Sequence, residues 1–365
     1  MSSIYIHIPF CQTICSYCDF PKVFYNENIV NKYLDKLNEE IKDKYKKEKI
    51  KTIYIGGGTP SSLSINNLNK LFDILKQINL SDNAEFTFEC NIENIDEEKL
   101  LVLKKNNVNR LSIGVQTFDT NYLKYLNRNH TKEEVNNKIN LIKKLGFKNI
   151  NIDLIYGFNN QTLEMLDYDI SCFLELNINH ISIYSLQIEP NTLLYINKTK
   201  EIDEELNYQM YELINKKLTL NGYNHYEISN YSKEGFESKH NTVYWDNNEY
   251  YGFGMGASSY VKDKRITNTK SITNYLLGKI IYTEESIDIN KKIEYEFILG
   301  FRKMKGIDKK NFLKKFNKNI KDFVIINKLL KQKKLLENSN YIYINPIYIY
   351  VMNNILLEFI GENYE

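Results

Sequence analysis

Hydrophobic residues in the first two thirds of this chain fall into two alternating patterns. One is a short β-branched run; the other is a longer stretch with apolar positions at helical spacing. Ile4–Ile8 is followed by a charged amphipathic stretch over Ile29–Tyr45. Thr52–Ile55 precedes Leu68–Ile78, and Glu85–Glu89 precedes Glu97–Lys105. Arg110–Val115 leads to Glu133–Leu145, where Leu141, Ile142 and Leu145 recur at helical spacing. Ile150–Tyr156 leads to Leu163–Leu176, His180–Leu186 leads to Glu204–Leu220, and a last strand-like stretch covers Tyr223–Ile228. Six strand–helix units in series predict an α/β fold with a parallel sheet wound as a full or partial barrel. Reactive groups in such a barrel belong at the C-terminal ends of the strands.

The pattern changes after residue 286. Glu294–Arg302, Asn311–Phe316 and Val324–Lys331 read as short helices. Tyr341–Asn345 and Ile347–Tyr350, separated by Pro346, read as a hairpin before a final helix to Ile360. A small, mainly helical, winged-helix-like module of about 75 residues fits. The expected division is a barrel over 1–228, a connecting segment over 229–285 and the C-terminal module over 286–365.

Composition narrows the class. The chain has 365 residues, is 42% hydrophobic and 26% charged, and carries a net charge of +2. That is a globular chain with no electrostatic case for nucleic acid or an anionic membrane. No apolar run approaches membrane-spanning length, and no signal peptide fits ahead of Ile4, so a cytoplasmic protein is expected.

Three of the five cysteines crowd into one short run, Tyr5-Ile-His-Ile-Pro-Phe-Cys-Gln-Thr-Ile-Cys-Ser-Tyr-Cys-Asp-Phe20. This is no disulfide framework. Cys11, Cys15 and Cys18, spaced C-x3-C-x2-C, can hold three irons of a four-iron, four-sulfur (4Fe-4S) cluster, since thiolates suit such centres. The loop lacks a fourth cysteine, so one iron stays open to the amine and carboxylate of S-adenosylmethionine (SAM). Zinc is the competing ligand, but its structural sites close with four donors and favour paired C-x2-C hooks.

Gly56-Gly-Gly-Thr-Pro60 follows the second strand and lets backbone approach a ligand closely, here the methionine amino end of SAM. Glu89 ends the third strand, Gln116 the fourth, and Asp153 lies in the fifth. Each is polar on an otherwise apolar strand, and the strand-end rule points all three into one mouth. Ribose hydroxyls and the SAM ammonium are their natural partners. Arg128 suits the SAM carboxylate, with a surface ion pair as the alternative. Cys90 and Cys172 read as small core residues. His130, His180 and His225 have no partner pattern.

The Cys run, together with Gly-Gly-Gly-Thr-Pro-Ser, Arg-Leu-Ser-Ile-Gly-Val-Gln-Thr-Phe, Asn-Ile-Asp-Leu-Ile-Tyr-Gly and Tyr-Glu-Ile-Ser-Asn-Tyr, resembles the heme chaperone HemW family over nearly the whole chain. That family is related to oxygen-independent coproporphyrinogen III oxidase. The resemblance implies a radical SAM partial (β/α)6 TIM-like barrel with Cys11, Cys15 and Cys18 as cluster ligands. It places Tyr5, Tyr17, Gly58, Thr59, Glu89, Gln116, Arg128 and Asp153 around SAM. Phe20 stands where the oxidases carry a fourth cysteine, and four residues precede Tyr5 where they carry an extension. His240-Asn-Thr-Val-Tyr244 matches a motif thought to serve heme, with His240 as iron ligand and Tyr244 as second ligand or hydrogen-bond partner. The implied partners are heme, heme-acceptor proteins and an electron donor for the cluster. With radical chemistry retained, one electron would cleave SAM to methionine and a 5′-deoxyadenosyl radical. The alternative reading is the oxidase, decarboxylating coproporphyrinogen III.

The resemblance has local departures. Glu89-Cys-Asn-Ile92 lacks the proline usual after that strand, Gly157-Phe-Asn-Asn-Gln-Thr162 replaces Gly-Leu-Pro-Gly-Gln-Thr, and Ser258 stands where a histidine is common.

Overall fold

A computed structural model describes residues 3–361. Six parallel strands follow one another in chain order: β1 (Ser3–Ile8), β2 (Ile50–Gly57), β3 (Leu80–Asn91), β4 (Arg110–Gln116), β5 (Asn149–Tyr156) and β6 (His180–Ser185). An antiparallel pair, β7 (Asn224–Glu227) and β8 (Asn230–Ser232), extends the sheet beyond β6. On the opposite edge β9 (Tyr251–Phe253) runs parallel to β1. The order is β9-β1-β2-β3-β4-β5-β6-β8-β7, and its two edges stay apart among the described residues. The barrel is therefore partial, one of the two forms the six-unit pattern allows and the one the resemblance implies.

Period-two chemistry decides which face of each strand looks inward. Ile53, Ile55, Phe88, Leu111, Ile113, Ile152 and Leu154 are buried in the main hydrophobic core. The alternate positions Tyr54, Glu89, Arg110, Ser112, Asn151 and Asp153 instead line an internal cavity. Six helices cover the outside: α1 (Glu27–Lys44), α2 (Ile65–Leu75), α3 (Glu97–Lys105), α4 (Lys132–Lys144), α5 (Leu163–Glu175) and α6 (Glu204–Leu220). Each starts on a side-chain cap: Asn26, Ser64, Asp96, Thr131, Thr162 and Asp203 each accept from the amide three residues on. Such a cap is worth about 1 kcal/mol and fixes where each helix leaves the sheet.

The segment 229–285 does more than connect. It supplies β8 and β9, so the sheet continues past residue 228, and it carries a short helix, Lys239–Trp245. Both strands are only three residues long; a run that short carries too little periodicity to be read.

A second core gathers Ile293, Phe297, Phe301, Phe312, Ile326, Leu329 and Phe359 in the C-terminal region. Helices Ile289–Gly300, Lys309–Phe316 and Val324–Lys331 pack there with a three-stranded antiparallel sheet, in the winged-helix-like arrangement expected. The hairpin differs from expectation. Tyr341–Ile344 pairs with Leu335–Glu337, and Pro346–Tyr348 forms a 3-10 turn. Asn338 makes the reversal, its side-chain oxygen accepting from the amides of Asn340 and Tyr341. A proline just past Ile344 cannot donate to a ladder.

Candidate functional site

A cavity of about 460 Å³ opens at the C-terminal ends of the strands, where the barrel rule places chemistry. Cys11, Cys15, Cys18, Tyr17, Gly58, Thr59, Glu89, Gln116, Arg128 and Asp153 all line it. Elements far apart in the sequence bring these expected residues together.

The cysteine loop is pinned at several points. The Ser16 amide and hydroxyl donate to the carbonyls of Leu126 and Tyr125. Asn127 donates to the Ile14 carbonyl. At the other end His7 Nε2 donates to the Pro21 carbonyl at 2.7 Å. A carbonyl only accepts, so the proton sits on Nε2, and Nδ1 accepts from the Tyr5 hydroxyl at 2.9 Å. Burial pushes the His7 imidazole down to about 4, which keeps this neutral tautomer. The Tyr5 hydroxyl is thus engaged by His7, and its ring lies 6.2 Å from that of Tyr54, which lines the cavity.

The thiols have donors aimed at them. Thr59 Oγ1 lies 3.5 Å from Cys11 Sγ, and Arg128 Nη1 lies 3.9 Å from Cys15 Sγ. Burial pushes the Cys11 thiol up to about 11, the Thr59 hydroxyl opposing that shift, and raises Cys18 too. Such thiols ionise when a metal takes the proton's place. Among the described residues no three His, Cys, Asp or Glu side chains converge on a single-ion site. Three thiols lining one cavity, with no fourth thiol beside them in the loop, suit a cluster with one open iron.

Close backbone approach explains the glycines. A Cβ on Gly58 would sit 2.6 Å from the Pro9 carbonyl carbon, and one on Gly56 would sit 2.6 Å from the Glu89 carboxyl. The Glu89 carboxylate accepts from the Tyr54 hydroxyl at 2.7 Å and the Gly57 amide at 3.0 Å. Burial nevertheless pushes it up to about 7, with Asp153 adding to the rise and the Tyr54 bond opposing it.

Gln116 ends β4 in the left-handed region, φ +73°, beside a register shift against β5. That conformation costs about 1 kcal/mol for a residue with a side chain, and bulges of this kind re-aim side chains at barrel rims. Arg128 is 5% exposed. It donates to the Gly114 carbonyl at 2.6 Å and pairs with Glu93 at 3.5 Å, so it is no surface ion pair. Glu93 falls to about 2: burial opposes ionisation, but the His130 hydrogen bond and the Arg128 charge outweigh it. Asp153 accepts from Asn151 at 2.8 Å. Asn151 also donates to Ser112, and its side-chain oxygen meets His180 Nδ1 at 2.6 Å. The His180 ring is held in turn by the Tyr226 hydroxyl at 2.8 Å.

Sequence reasoning passed over Arg110, Tyr54, Asn151 and His180. The signal was present: each is polar or titratable on the inward phase of a strand whose other phase is apolar. Arg110 is 2% exposed and lines the cavity, and it makes no side-chain hydrogen bond or ion pair among the described residues. Its Nε and that of Arg128 are buried without partners. Unengaged donors facing a cavity that also holds carboxylates and thiols fit a ligand rich in oxygen and cationic groups, as SAM is.

His240 and Tyr244 come together, but elsewhere. The helix Lys239–Trp245 plugs the floor of the barrel, its first amides donating to the Glu85 carboxylate at 3.0 and 2.9 Å. His240 is 1% exposed, bonded to Thr52 through Nδ1 and to Tyr244 through Nε2, both at 2.8 Å. Burial lowers its imidazole to about 3. Both ring nitrogens are engaged, so iron ligation by His240 requires one of these bonds to break.

The comparisons with known proteins agree with this geometry. A model of the radical SAM superfamily matches residues 5–170. The heme chaperone HemW of Lactococcus lactis is 41% identical, over 99% of this chain and 98% of its own length. That of Bacillus subtilis is 38% identical, over 99% and 100%. This chain belongs to the heme chaperone HemW family. HemW of Escherichia coli is 34% identical over 85% of both chains. This chain shares its fold with the coproporphyrinogen III oxidase HemN of Escherichia coli, which superposes with a TM-score of 0.86 at 21% identity, covering 98% of this chain and 90% of that one. As a radical SAM protein, this HemW family member has a 4Fe-4S cluster and SAM as its cofactors. The family departures noted above leave the cavity intact. Without the proline, Asn91 stays in β3 and donates to Thr59 at 3.1 Å. Gln161 fastens its own loop by accepting from the Gly157 amide at 2.7 Å.

Proposed function

We propose that this protein carries heme to acceptor hemoproteins in the cytoplasm, with Cys11, Cys15 and Cys18 holding the cluster and the barrel cavity holding SAM. Full-length likeness to proteins named heme chaperones carries this reading. Phe20, 62% exposed at the loop's end, supports the chaperone over the oxidase, since it stands at the position of the oxidases' fourth cysteine.

The residues divide the work. Thr59 and Arg128 direct hydrogen-bond donors at two thiolates. Arg128 also offers charge to the SAM carboxylate, Glu89 accepts from the ammonium, and Gln116 and Asp153 meet the ribose hydroxyls. Tyr17 packs beside Leu126, Ile155 and Phe158 and shields the loop from water. His7 holds the loop's far end, so the thiols keep their spacing. When bound, the cluster supplies an electron to SAM, delivered by a donor protein. His240 and Tyr244 form a closed hydrogen-bonded pair at the barrel floor, with both imidazole nitrogens engaged.

Anaerobically reconstituted protein, mixed with coproporphyrinogen III and SAM, separates the two readings. Heme binding without protoporphyrinogen formation supports the carrier; protoporphyrinogen formation would overturn it in favour of the oxidase.

A further inference from the structure

A second cavity, of about 370 Å³, lies where the open edge of the barrel meets the C-terminal domain. Tyr156, Tyr184, Tyr211, Tyr231 and Tyr350 line it, backed by isoleucines, and it shares Tyr184, Ser185 and Gln187 with the mouth cavity. One wall is nearly continuous aromatic surface. Tyr231 stacks on His225 at 4.2 Å, Tyr211 stands edge-on to His225 at 6.4 Å, and Tyr211 meets Tyr350 at 5.5 Å. Tyr184 has no ring neighbour among the described residues and is 43% exposed. An aromatic ring this exposed, next to a ring-lined wall, offers a free π-face to a flat ligand.

The rim carries a cation. Asn353 lines the cleft and accepts from Arg302 Nη2 at 3.5 Å, which puts a guanidinium beside it. A flat ligand with carboxylates at one edge would therefore turn that edge towards Arg302.

Resting on the heme-carrier reading above, we propose that this tyrosine-lined cleft is the heme seat. The macrocycle stacks on the ring wall, its propionates face Arg302, and the metal-bearing plane stays close to the SAM cavity through Tyr184. An open cleft of this kind suits a cargo that must leave again. The floor pair does not offer that access, because both nitrogens of His240 are engaged.

The competing explanation is that the tyrosines only fasten the C-terminal domain to the barrel. Hemin titration of the full chain, followed through the Soret band, decides, with Tyr184→Leu, Tyr350→Leu, Tyr350→Phe, His240→Ala and Arg302→Gln and a thermal melt of each. Each leucine variant should bind hemin roughly 5- to 10-fold more weakly, while Tyr350→Phe keeps wild-type affinity because stacking needs the ring alone. Arg302→Gln should weaken hemin about tenfold and leave hemin dimethyl ester unchanged. Unaltered hemin affinity in both leucine variants, or its loss in His240→Ala at a temperature where the melt shows that variant still folded, would overturn the cleft as the seat. Absence of hemin binding by the wild type would instead overturn the heme-carrier reading itself.

Discussion

The mouth and the floor of one barrel handle polar side chains in opposite ways. In the cavity Arg110, deep at the start of β4, and Arg128, at the mouth, each leave Nε without a partner, three thiols line open space, and burial raises Glu89 to about 7. At the floor Thr52, His240 and Tyr244 close on one another, and Glu85 satisfies the first amides of the plugging helix. A closed network rigidifies a fold, whereas an open one stores unfavourable desolvation that a ligand can relieve. Unpartnered buried atoms also occur on the floor side, at Ser3 Oγ and Trp245 Nε1, so the site is identified by unpartnered charged groups that line the cavity.

The strongest way to break this contrast is to remove the thiols. Replacing Cys11, Cys15 and Cys18 together with alanine should abolish iron and acid-labile sulfide in anaerobically reconstituted protein, yet leave the melting temperature of the apo form near wild type. The reason is that the loop hangs at the mouth, outside the main core apart from Phe10. Retained iron would remove the cluster from this loop. At the floor the reverse is expected. His240→Ala orphans Thr52 and Tyr244 and opens a cavity beneath Tyr54, so it should cost about 2–4 kcal/mol in urea unfolding. Cluster content should be unaffected. Loss of cluster in that variant would show that floor and mouth are coupled.

The same contrast explains what the sequence disclosed. The parallel strands and their helices were legible because each strand alternates and each helix begins on a side-chain cap. Cys11, Cys15 and Cys18 were legible from their spacing, Glu89, Gln116 and Asp153 from the barrel rule that sends strand ends to one mouth, and Gly58, Thr59 and Arg128 from the glycine turn, the guanidinium and the family resemblance. The Tyr5–His7 bond joins residues two apart on one face of β1, so their proximity follows from strand period, while the tautomer of His7 is set by the distant Pro21 carbonyl. β8 and β9 are too short to show an alternation, and the real hairpin depends on one Asn338 side chain. The His240 motif was legible as a pair; its burial depended on where residues 239–245 fold back onto β2, which is tertiary information.

Arg110 sharpens the contrast at smaller scale. A buried guanidinium without a direct partner carries desolvation that its distant neighbours Glu89 and Asp153 only partly offset. Arg110→Met should accordingly leave the apo protein as stable as wild type, or stabilise it by about 1 kcal/mol, while weakening SAM binding roughly tenfold. Equilibrium dialysis with labelled SAM and urea unfolding read the two effects separately. A large loss of stability would make Arg110 structural and move it to the side of the floor network.

The smallest effect concerns protons at Glu89. Its carboxyl is raised from an ordinary 4.5 to about 7, chiefly by burial. A raised carboxyl contributes to stability while it is neutral in the folded chain, and that contribution is lost as pH climbs from 4.5 through 7. SAM brings an ammonium and a sulfonium, which favour the ionised carboxylate, so binding releases the proton. SAM affinity should therefore rise between pH 6 and pH 8, by up to about tenfold per unit below 7 and less above it, while the apo protein's loss of stability, begun near pH 4.5, levels off above 7. In Glu89→Gln both slopes should flatten, because the amide has no proton to lose. Equal wild-type affinities at pH 6 and pH 8 would mean that Glu89 remains neutral with SAM bound, and the ammonium would then have to be held by backbone carbonyls at the glycine turn.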